Sequence, residues 1–306
     1  MVLKSYAKLN LYLKVLKLRK DKYHSLKSLF ERIDLADRII IRSTPDKRIR
    51  IICKDAAVPQ DSANLCYKSA KLLQDVFGIT KGADITIEKN IPVGAGLGGG
   101  SSNAATVLLG LNKIWKLNIS REKLAKLGAK VGSDVPFFIY ASPFALVTGR
   151  GERIKPLKLL NKGTLWHIII VPKLHVSTPL IYKKWDDFSG ISPTPTFNKT
   201  GSRKLVWGLT KPKYDVKLLL SVIEKKGLIW PDGVLFNSLE AVTVKLYPEV
   251  RLIKEKLSAL GVKSILMSGS GPAVFGIVSS RKEAVALRER LTYSCSRWRV
   301  FAAKTF

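Results

Sequence analysis

The densest chemistry in this sequence lies at Ile91-Pro92-Val93-Gly94-Ala95-Gly96-Leu97-Gly98-Gly99-Gly100-Ser101-Ser102-Asn103-Ala104. Five of the seven residues from Gly94 to Gly100 are glycine, which frees the chain for positive φ and lets its backbone approach a ligand closely. The run passes straight into a helical pattern, so free N–H groups and a helix N-terminus together make an anion cradle. A flexible turn needs one or two glycines. This cluster, followed by two hydroxyls and a capping asparagine, suits phosphate and has room for a triphosphate. Gly94, Gly96 and Gly99 satisfy GxGxxG, but the run follows Pro92 in mid-domain and no strand ending in an acidic residue comes about 20 residues later, against a dinucleotide site. Gly-Lys-Ser/Thr is missing, and so are HRD and DFG, which sets aside the P-loop and the protein kinases.

Two further positions have types suited to proton and charge transfer. Ala7 to Val15 alternates strictly, which predicts a half-buried strand with Leu9, Leu11, Leu13 and Val15 on one face and Lys8, Asn10 and Tyr12 on the other. Lys8 and Asn10 can therefore point into one pocket. Asp134 closes an apparent helix ahead of Val135-Pro136-Phe137-Phe138 and, taken alone, reads as a turn or cap residue. His24, His167 and His175 form no HExxH pattern, and Cys53, Cys66 and Cys295 form neither a disulfide framework nor a CxxC pair. A dedicated transition-metal site is not expected, and a reducing compartment is. His167 sits in an apolar strand and reads as structural; His175 takes no assignment.

Around these residues the spacing predicts strands at 38–41, 49–52 and 83–88, and helices at 64–76, 101–116 and 120–131, the last capped by Ser120. The pattern changes near 150–156. A strand at 165–171 follows, then a Pro/Ser/Thr-rich stretch at 189–202 that reads as loop, helices at 215–225 and 248–260, strands at 264–267 and 273–277, another helix, and a closing strand at 298–302. The interleaving favours an α+β class with largely antiparallel sheets and helices on one face. No internal repeat stands out.

At 306 residues the chain is long enough for two modest domains, and 46% hydrophobic with 25% charged residues excludes collagen-like and wholly disordered classes. Lysines interrupt the N-terminal stretch before any signal-like apolar core can form, no run reaches membrane-span length, and the cytoplasm is the expected location. The charge is the outlier: 53 Lys and Arg against 23 Asp and Glu leave +30, a field that draws phosphates, nucleic acid or anionic surfaces.

Pro92-x-x-x-Gly96-Leu97-Gly98-x-x-Ser101-Ser102 resembles the phosphate motif of the GHMP small-molecule kinases, and Ala7-Lys8-Leu9-Asn10-Leu11 and Met267-Ser268-Gly269-Ser270-Gly271-Pro272-Ala273 resemble that family's other two marks. Tyr23-His24, Gly132-Ser133-Asp134-Val135-Pro136 and Phe236-Asn237-Ser238-Leu239-Glu240 resemble the branch acting on a cytidine diphosphate-linked methylerythritol. The motifs stand in the family's order over nearly the whole chain. The resemblance implies a two-domain GHMP kinase fold. A ribosomal-protein-S5-domain-2-like domain would cover 1–155 and a ferredoxin-like α/β sandwich 156–306. It implies ATP-dependent phosphorylation of the acceptor's tertiary 2-hydroxyl, on the methylerythritol phosphate route to isoprenoid precursors.

Carried over residue by residue, Asp134 is the general base, Lys8 keeps it ionised and steadies developing charge, and Asn10 positions the acceptor. Pro92, Gly94, Gly96, Leu97, Gly98, Gly99, Gly100, Ser101 and Ser102 wrap the ATP phosphates, and Ser101 or Ser102 approaches Mg²⁺. Asn64 and Lys89 match adenosine contacts, although a cap and an exposed lysine also explain them. Gly269 and Gly271 line the pocket from the second domain. Tyr23 and His24, with Tyr182 as the opposite aromatic wall, hold the cytosine. Two positions depart from the pattern: Lys22 stands where the family usually has Gly, and Ser238 where it usually has Asp. The alternatives are another GHMP kinase, for homoserine, mevalonate or galactose, and a basic nucleic-acid-binding protein whose affinity would fall steeply with salt. Dispersed Lys and Arg and the lack of an RNA-binding aromatic motif disfavour specific nucleic-acid binding. A monomer or weak homodimer is expected, with no membrane partner.

Overall fold

A computed structural model of the chain describes residues 1–157, 164–189, 212–224 and 233–306. The alternating N-terminal segment forms a long ribbon, β1 (Val2–Leu18) pairing antiparallel with β2 (His24–Thr44). Next come β3 (Ile49–Cys53), α1 (Leu65–Phe77) and β4 (Gly82–Glu88), with β3 and β4 parallel as an intervening helix permits. The glycine-rich loop leads into α2 (Gly99–Ile114), followed by α3 (Arg121–Val131), α4 (Val135–Tyr140) and the hairpin of β5 (Phe144–Thr148) with β6 (Arg153–Pro156). The second half supplies β7 (Trp166–Pro172), α5 (Thr178–Ser189), α6 (Val216–Glu224), β8 (Phe236–Asn237), α7 (Glu240–Leu246) and α8 (Pro248–Ala259). It closes with β9 (Ser264–Met267), β10 (Val274–Val278), α9 (Arg281–Ser294) and β11 (Trp298–Lys304).

Local chemistry sets several boundaries. Asn64 caps α1 by accepting from the Cys66 amide at 2.8 Å, and Gly78 ends that helix in the left-handed region at φ +63°. Ser120 caps α3 and Ser280 caps α9 in the same manner. Six-residue α4 is buried from Val135 through Ile139, so it has no polar face and no 3.6-residue signature in the sequence. Helices α4, α5 and α7 were not expected from the spacing.

The strands form two sheets. The first has the order β3-β4-β2-β1-β8, with β5 also on β2 and β6 on β5; the second is antiparallel, β11-β7-β10-β9. Their inner faces meet: Leu9, Leu11, Tyr12 and Ile33 of the first share one apolar cluster with Ile169, Leu266 and Phe275 of the second. Helices cover the outer faces, Leu108 and Leu111 of α2 clustering with Ile39 and Ile41, and Ile253, Leu257 and Leu291 with Ile168 and Val274. The layers therefore run helices, sheet, sheet, helices. β8, from the second half of the chain, joins the first sheet parallel to β1. Of the expected loop at 189–202, Ser189 ends α5 and the remainder lies outside the described residues, as does the last residue of the helix expected at 215–225.

The N-terminal strand corrects the alternation argument. Leu9 and Leu11 face the second sheet with Tyr12, whereas Leu13 and Val15 belong to the helix-side core. A register shift between Asn10 and Tyr12 inserts Leu11 as an extra residue, and one extra residue reverses every later side chain. The strand is also buried on both faces, since the second sheet covers what would otherwise be its wet side.

Candidate active site

Three segments far apart in sequence interlock at the centre. The Lys8 amide donates to Leu97 O at 3.0 Å, the Ala273 amide to Ala95 O at 3.2 Å, and Ser268 Oγ to Gly96 O at 3.0 Å. Gly96 adopts φ +78°, and a Cβ there would stand 2.2 Å from Ser268 O, so only glycine admits this approach. Gly98 precedes α2 at φ +71°, and no side chain caps that helix; no acidic residue lies in its first turn. Its first amides thus face a cavity of about 470 Å³ unmet, as an anion site requires.

That cavity is lined by Asn64, Lys89, Pro92 and the loop from Gly94 to Ser101. Ser102 is not on it: the side chain is 1% exposed, with Oγ 2.7 Å from Ser5 Oγ. Ser101 is the open hydroxyl. Asn64 is there, but both ends of its amide are occupied, Oδ1 by the Cys66 amide and Nδ2 by Pro59 O at 2.6 Å. The Lys89 ammonium pairs with buried Asp37 and lies at the foot of Gly99 rather than in solvent. Asp37, which the sequence reading missed, also accepts from the Asn90 and Ile91 amides at 2.7 and 2.8 Å, and so sets the start of the loop. Cys66 lines the floor, and burial pushes its thiol up to about 12, which leaves it inert.

A second cavity of about 710 Å³ adjoins the first and shares Gly96, Gly98 and Thr178 with it. Lys8, Asn10 and Asp134 stand on its wall. The Lys8 side chain is 5% exposed; Nζ donates to Asn10 Oδ1 and lies 3.8 Å from Asp134 Oδ2. Burial lowers the Lys8 ammonium from the usual lysine value, and the Asp134 charge partly restores it. Asp134 does not end α3; it precedes α4, and its side chain makes no cap hydrogen bond. The carboxylate, 30% exposed, is thus available to the cavity. Asn10 is held in turn, Nδ2 donating to Ser28 Oγ at 3.1 Å and its amide to Ser268 Oγ at 3.3 Å.

The far end of this cavity is aromatic and basic. Tyr23 is 54% exposed, with the Arg150 guanidinium 5.2 Å from its ring centroid. His24 and Tyr182 are not opposite walls: their rings stack on each other at 5.6 Å and 21°, which leaves no slot between them. Trp185 meets His24 edge-on at 5.4 Å, and Asp186 Oδ1 lies 2.8 Å from His24 Nε2. Burial, with the Asp134 charge second, raises the Tyr182 hydroxyl and keeps it protonated.

Gly269 lines this cavity, while Gly271 stands behind it against Met267 Sδ. Asn237 fixes their turn by donating to Met267 O and Gly269 O at 2.8 and 2.7 Å. Ser238 Oγ accepts from the Val15 amide at 3.0 Å, an acceptor role that a hydroxyl fills as a carboxylate would. Lys22 has φ +64°, which explains why glycine suits that position. His167 is fully buried against Glu31 at 2.9 Å, away from both cavities, and exposed His175 touches the Gly94 edge of the loop. Asp186 and Arg150 were not singled out from the sequence, and Asn237 only as a member of the Phe236–Glu240 motif without a role; each acts through a partner distant along the chain.

Residues 64–142 match the GHMP kinases N terminal domain and residues 220–297 the GHMP kinases C terminal domain. The chain is similar to the 4-diphosphocytidyl-2-C-methyl-D-erythritol kinase of Geobacillus sp. (strain WCH70), 41% identical over 99% of this chain and 96% of that one. It is likewise similar to the protein of that name from Bacillus subtilis (strain 168), 40% identical over 95% and 93%. A crystal structure of 4-(cytidine 5'-diphospho)-2C-methyl-D-erythritol kinase superposes with a TM-score of 0.78 at 32% identity, covering 99% and 98% of the two chains.

Proposed function

Since the chain belongs to the 4-diphosphocytidyl-2-C-methyl-D-erythritol kinases of the GHMP family, we propose that it phosphorylates the 2-hydroxyl of that cytidylated alcohol from ATP, giving the 2-phosphate and ADP. The observation that carries the reading is the junction of the two cavities at Gly96 and Gly98, with Lys8 and Asp134 on the acceptor side of it. A donor phosphate in the glycine cradle and an acceptor hydroxyl beside Asp134 would meet there.

ATP supplies the γ-phosphoryl group. The α2 N-terminus and the amides of the loop hold its phosphates, and Asp134 takes the proton of the acceptor hydroxyl as that oxygen bonds to phosphorus and the bond to the β-phosphate oxygen breaks. Lys8 faces the charge gathered there, and Asn10 holds the acceptor against it. Among the described residues no cluster of His, Cys, Asp and Glu is placed to hold a metal ion. The open Ser101 hydroxyl fits Mg²⁺ that arrives with the nucleotide phosphates and neutralises part of their charge. The +30 charge would steer two anionic substrates inward. Among the described residues no helix is long and apolar enough to cross a membrane. A cytoplasmic reaction, a division of the chain near 155/156 and a monomer or weak homodimer complete the proposal.

The test is ADP release with Mg-ATP and the cytidylated alcohol, with mevalonate and homoserine as controls. Turnover confined to the cytidylated substrate, and reduced about 10²–10⁴-fold in Asp134→Asn, is the expected result. A folded protein that turns over only a control alcohol, or an Asp134→Asn variant with full activity, overturns it.

A further inference from the structure

The wall beside Lys8 is aromatic, and phosphoryl transfer as described makes no use of it. We infer, on the basis of the transfer proposed above, that Phe30 is a positioning residue whose ring face keeps the Lys8 ammonium charged and in place.

Phe30 of β2 stands opposite Asn10 of β1 and pairs on its other side with Ala145 of β5, so its backbone is pinned from both sides. Lys8, two residues before Asn10, is a diagonal neighbour across the pair, within reach of a long side chain. Its Nζ lies over the Phe30 ring, 4.8 Å from the centroid. Phe137 of α4 meets that ring edge-on at 5.2 Å and 86°, which fixes its tilt. Phe30 lines the acceptor cavity while only 3% exposed.

An ammonium 5% exposed has lost most of its water and needs other partners. One hydrogen goes to Asn10 Oδ1. Asp134, at 3.8 Å, lies beyond a hydrogen bond and acts through its charge. The negative face of the ring is the third partner, and a cation–π contact is strongest where water is excluded. The loop from Gly96 to Gly98 and the turn from Ser268 to Gly271 bring no titratable side chain to the ammonium. The cavity's other titratable groups, Lys22, Tyr23, His24, Arg150, Tyr182, Lys183 and Asp186, are the same in wild type and in a variant at position 30, so a difference between the two reports the ring.

The measurement is the titration of Lys8 in the free protein, followed by its ¹³Cε signal, the one lost in Lys8→Met. Phe30→Leu removes the ring face. Where that variant does not fold, a ring-trifluorinated phenylalanine at position 30 keeps the shape and cancels the negative face. In either protein the charged form loses a partner, so the midpoint should move to lower pH, with about threefold to thirtyfold lost in proton affinity. The alkaline limb of kcat/KM should move with it. A residue that only fills the core would change stability and leave the midpoint in place. An unchanged midpoint in the folded trifluorinated protein overturns the inference. A shifted midpoint in a protein that turns over none of the alcohols removes the kinase reading and leaves the contact; a working kinase whose Lys8 midpoint ignores the ring does the reverse.

Discussion

Replacing Lys8 with methionine separates its chemical role from its burial. At 3.8 Å, and at an effective dielectric near 20, the attraction between Lys8 and Asp134 is about 4 kcal/mol. Because Asp134 is 30% exposed, solvent screening halves this to roughly 2 kcal/mol. Removing a preorganised donor from charge that develops in a transition state costs about 3–4 kcal/mol. The two overlap and do not add, so kcat/KM should fall by about 10²–10³. The pH profile supplies the diagnostic. Lys8 works as an ammonium and burial lowers its pKa from 10.5, so wild-type activity should be lost on an alkaline limb centred below that value, and Lys8→Met should lack the limb. Stability moves the other way. Between the lowered folded pKa and the unfolded value the unfolded chain binds more protons, so wild-type stability rises as pH climbs through that window. The alkaline loss of activity is then not unfolding. The methionine variant escapes the desolvation cost, and its stability relative to wild type should be greatest at neutral pH and shrink with alkalinity. The assay is direct chromatography of ADP from neutral to alkaline pH, with urea melts at the same points. A variant that keeps more than about a tenth of kcat/KM, or whose alkaline limb coincides with that of wild type, refutes the reasoning.

Gly96→Ala places Cβ 2.2 Å from Ser268 O, forcing about 1 Å of separation between the loop and the 268–271 turn; turnover should fall about 10²-fold, and steady-state kinetics with wild-type-like circular dichroism would show it. Asp37→Asn leaves the buried Lys89 ammonium uncompensated, so the urea midpoint should drop by the equivalent of about 3–5 kcal/mol with little change in slope. Lys22→Gly relieves the positive φ and should stabilise by about 0.5 kcal/mol after the unfolded-state entropy of glycine is counted. Lys22→Val should lose about 1 kcal/mol or more, and equal melting of the two variants would refute the strain argument.

The phosphate end was legible because its requirement falls on the backbone. Close approach at Gly96 and a left-handed turn at Gly98 admit essentially one residue type, so the geometry is written as glycine and can be read without knowing its neighbours. Lys8 and Asn10 were legible for a related reason: period-two alternation puts them together, and the bulge that defeats the same argument at Leu13 begins only after Asn10. The helix caps at Asn64 and Ser120 are likewise local.

The acceptor end is built differently. Its determinants are pairs of ordinary side chains, each unremarkable until its partner is in place: His24 with Asp186, Arg150 with Tyr23, Asn237 with the Gly269 carbonyl. The members of each pair lie far apart along the chain, Arg150 and Tyr23 meeting through the pairing of β5 with β2, His24 and Asp186 across the two halves of the molecule, and Asn237 and Gly269 within the second half. Helix α5, which contributes Asp186, Tyr182 and Thr178, was itself not expected. Tyr182 lines the acceptor cavity with Tyr23, as its type suggested, but its stacking on His24 could not be read from type alone. Asn64 and Lys89 show the converse: residue types that fit a nucleotide contact are occupied by a helix cap and by a buried carboxylate. Acceptor binding should therefore respond to substitutions at Tyr182 and Asp186 of α5, which line the acceptor cavity and not the glycine-loop cavity.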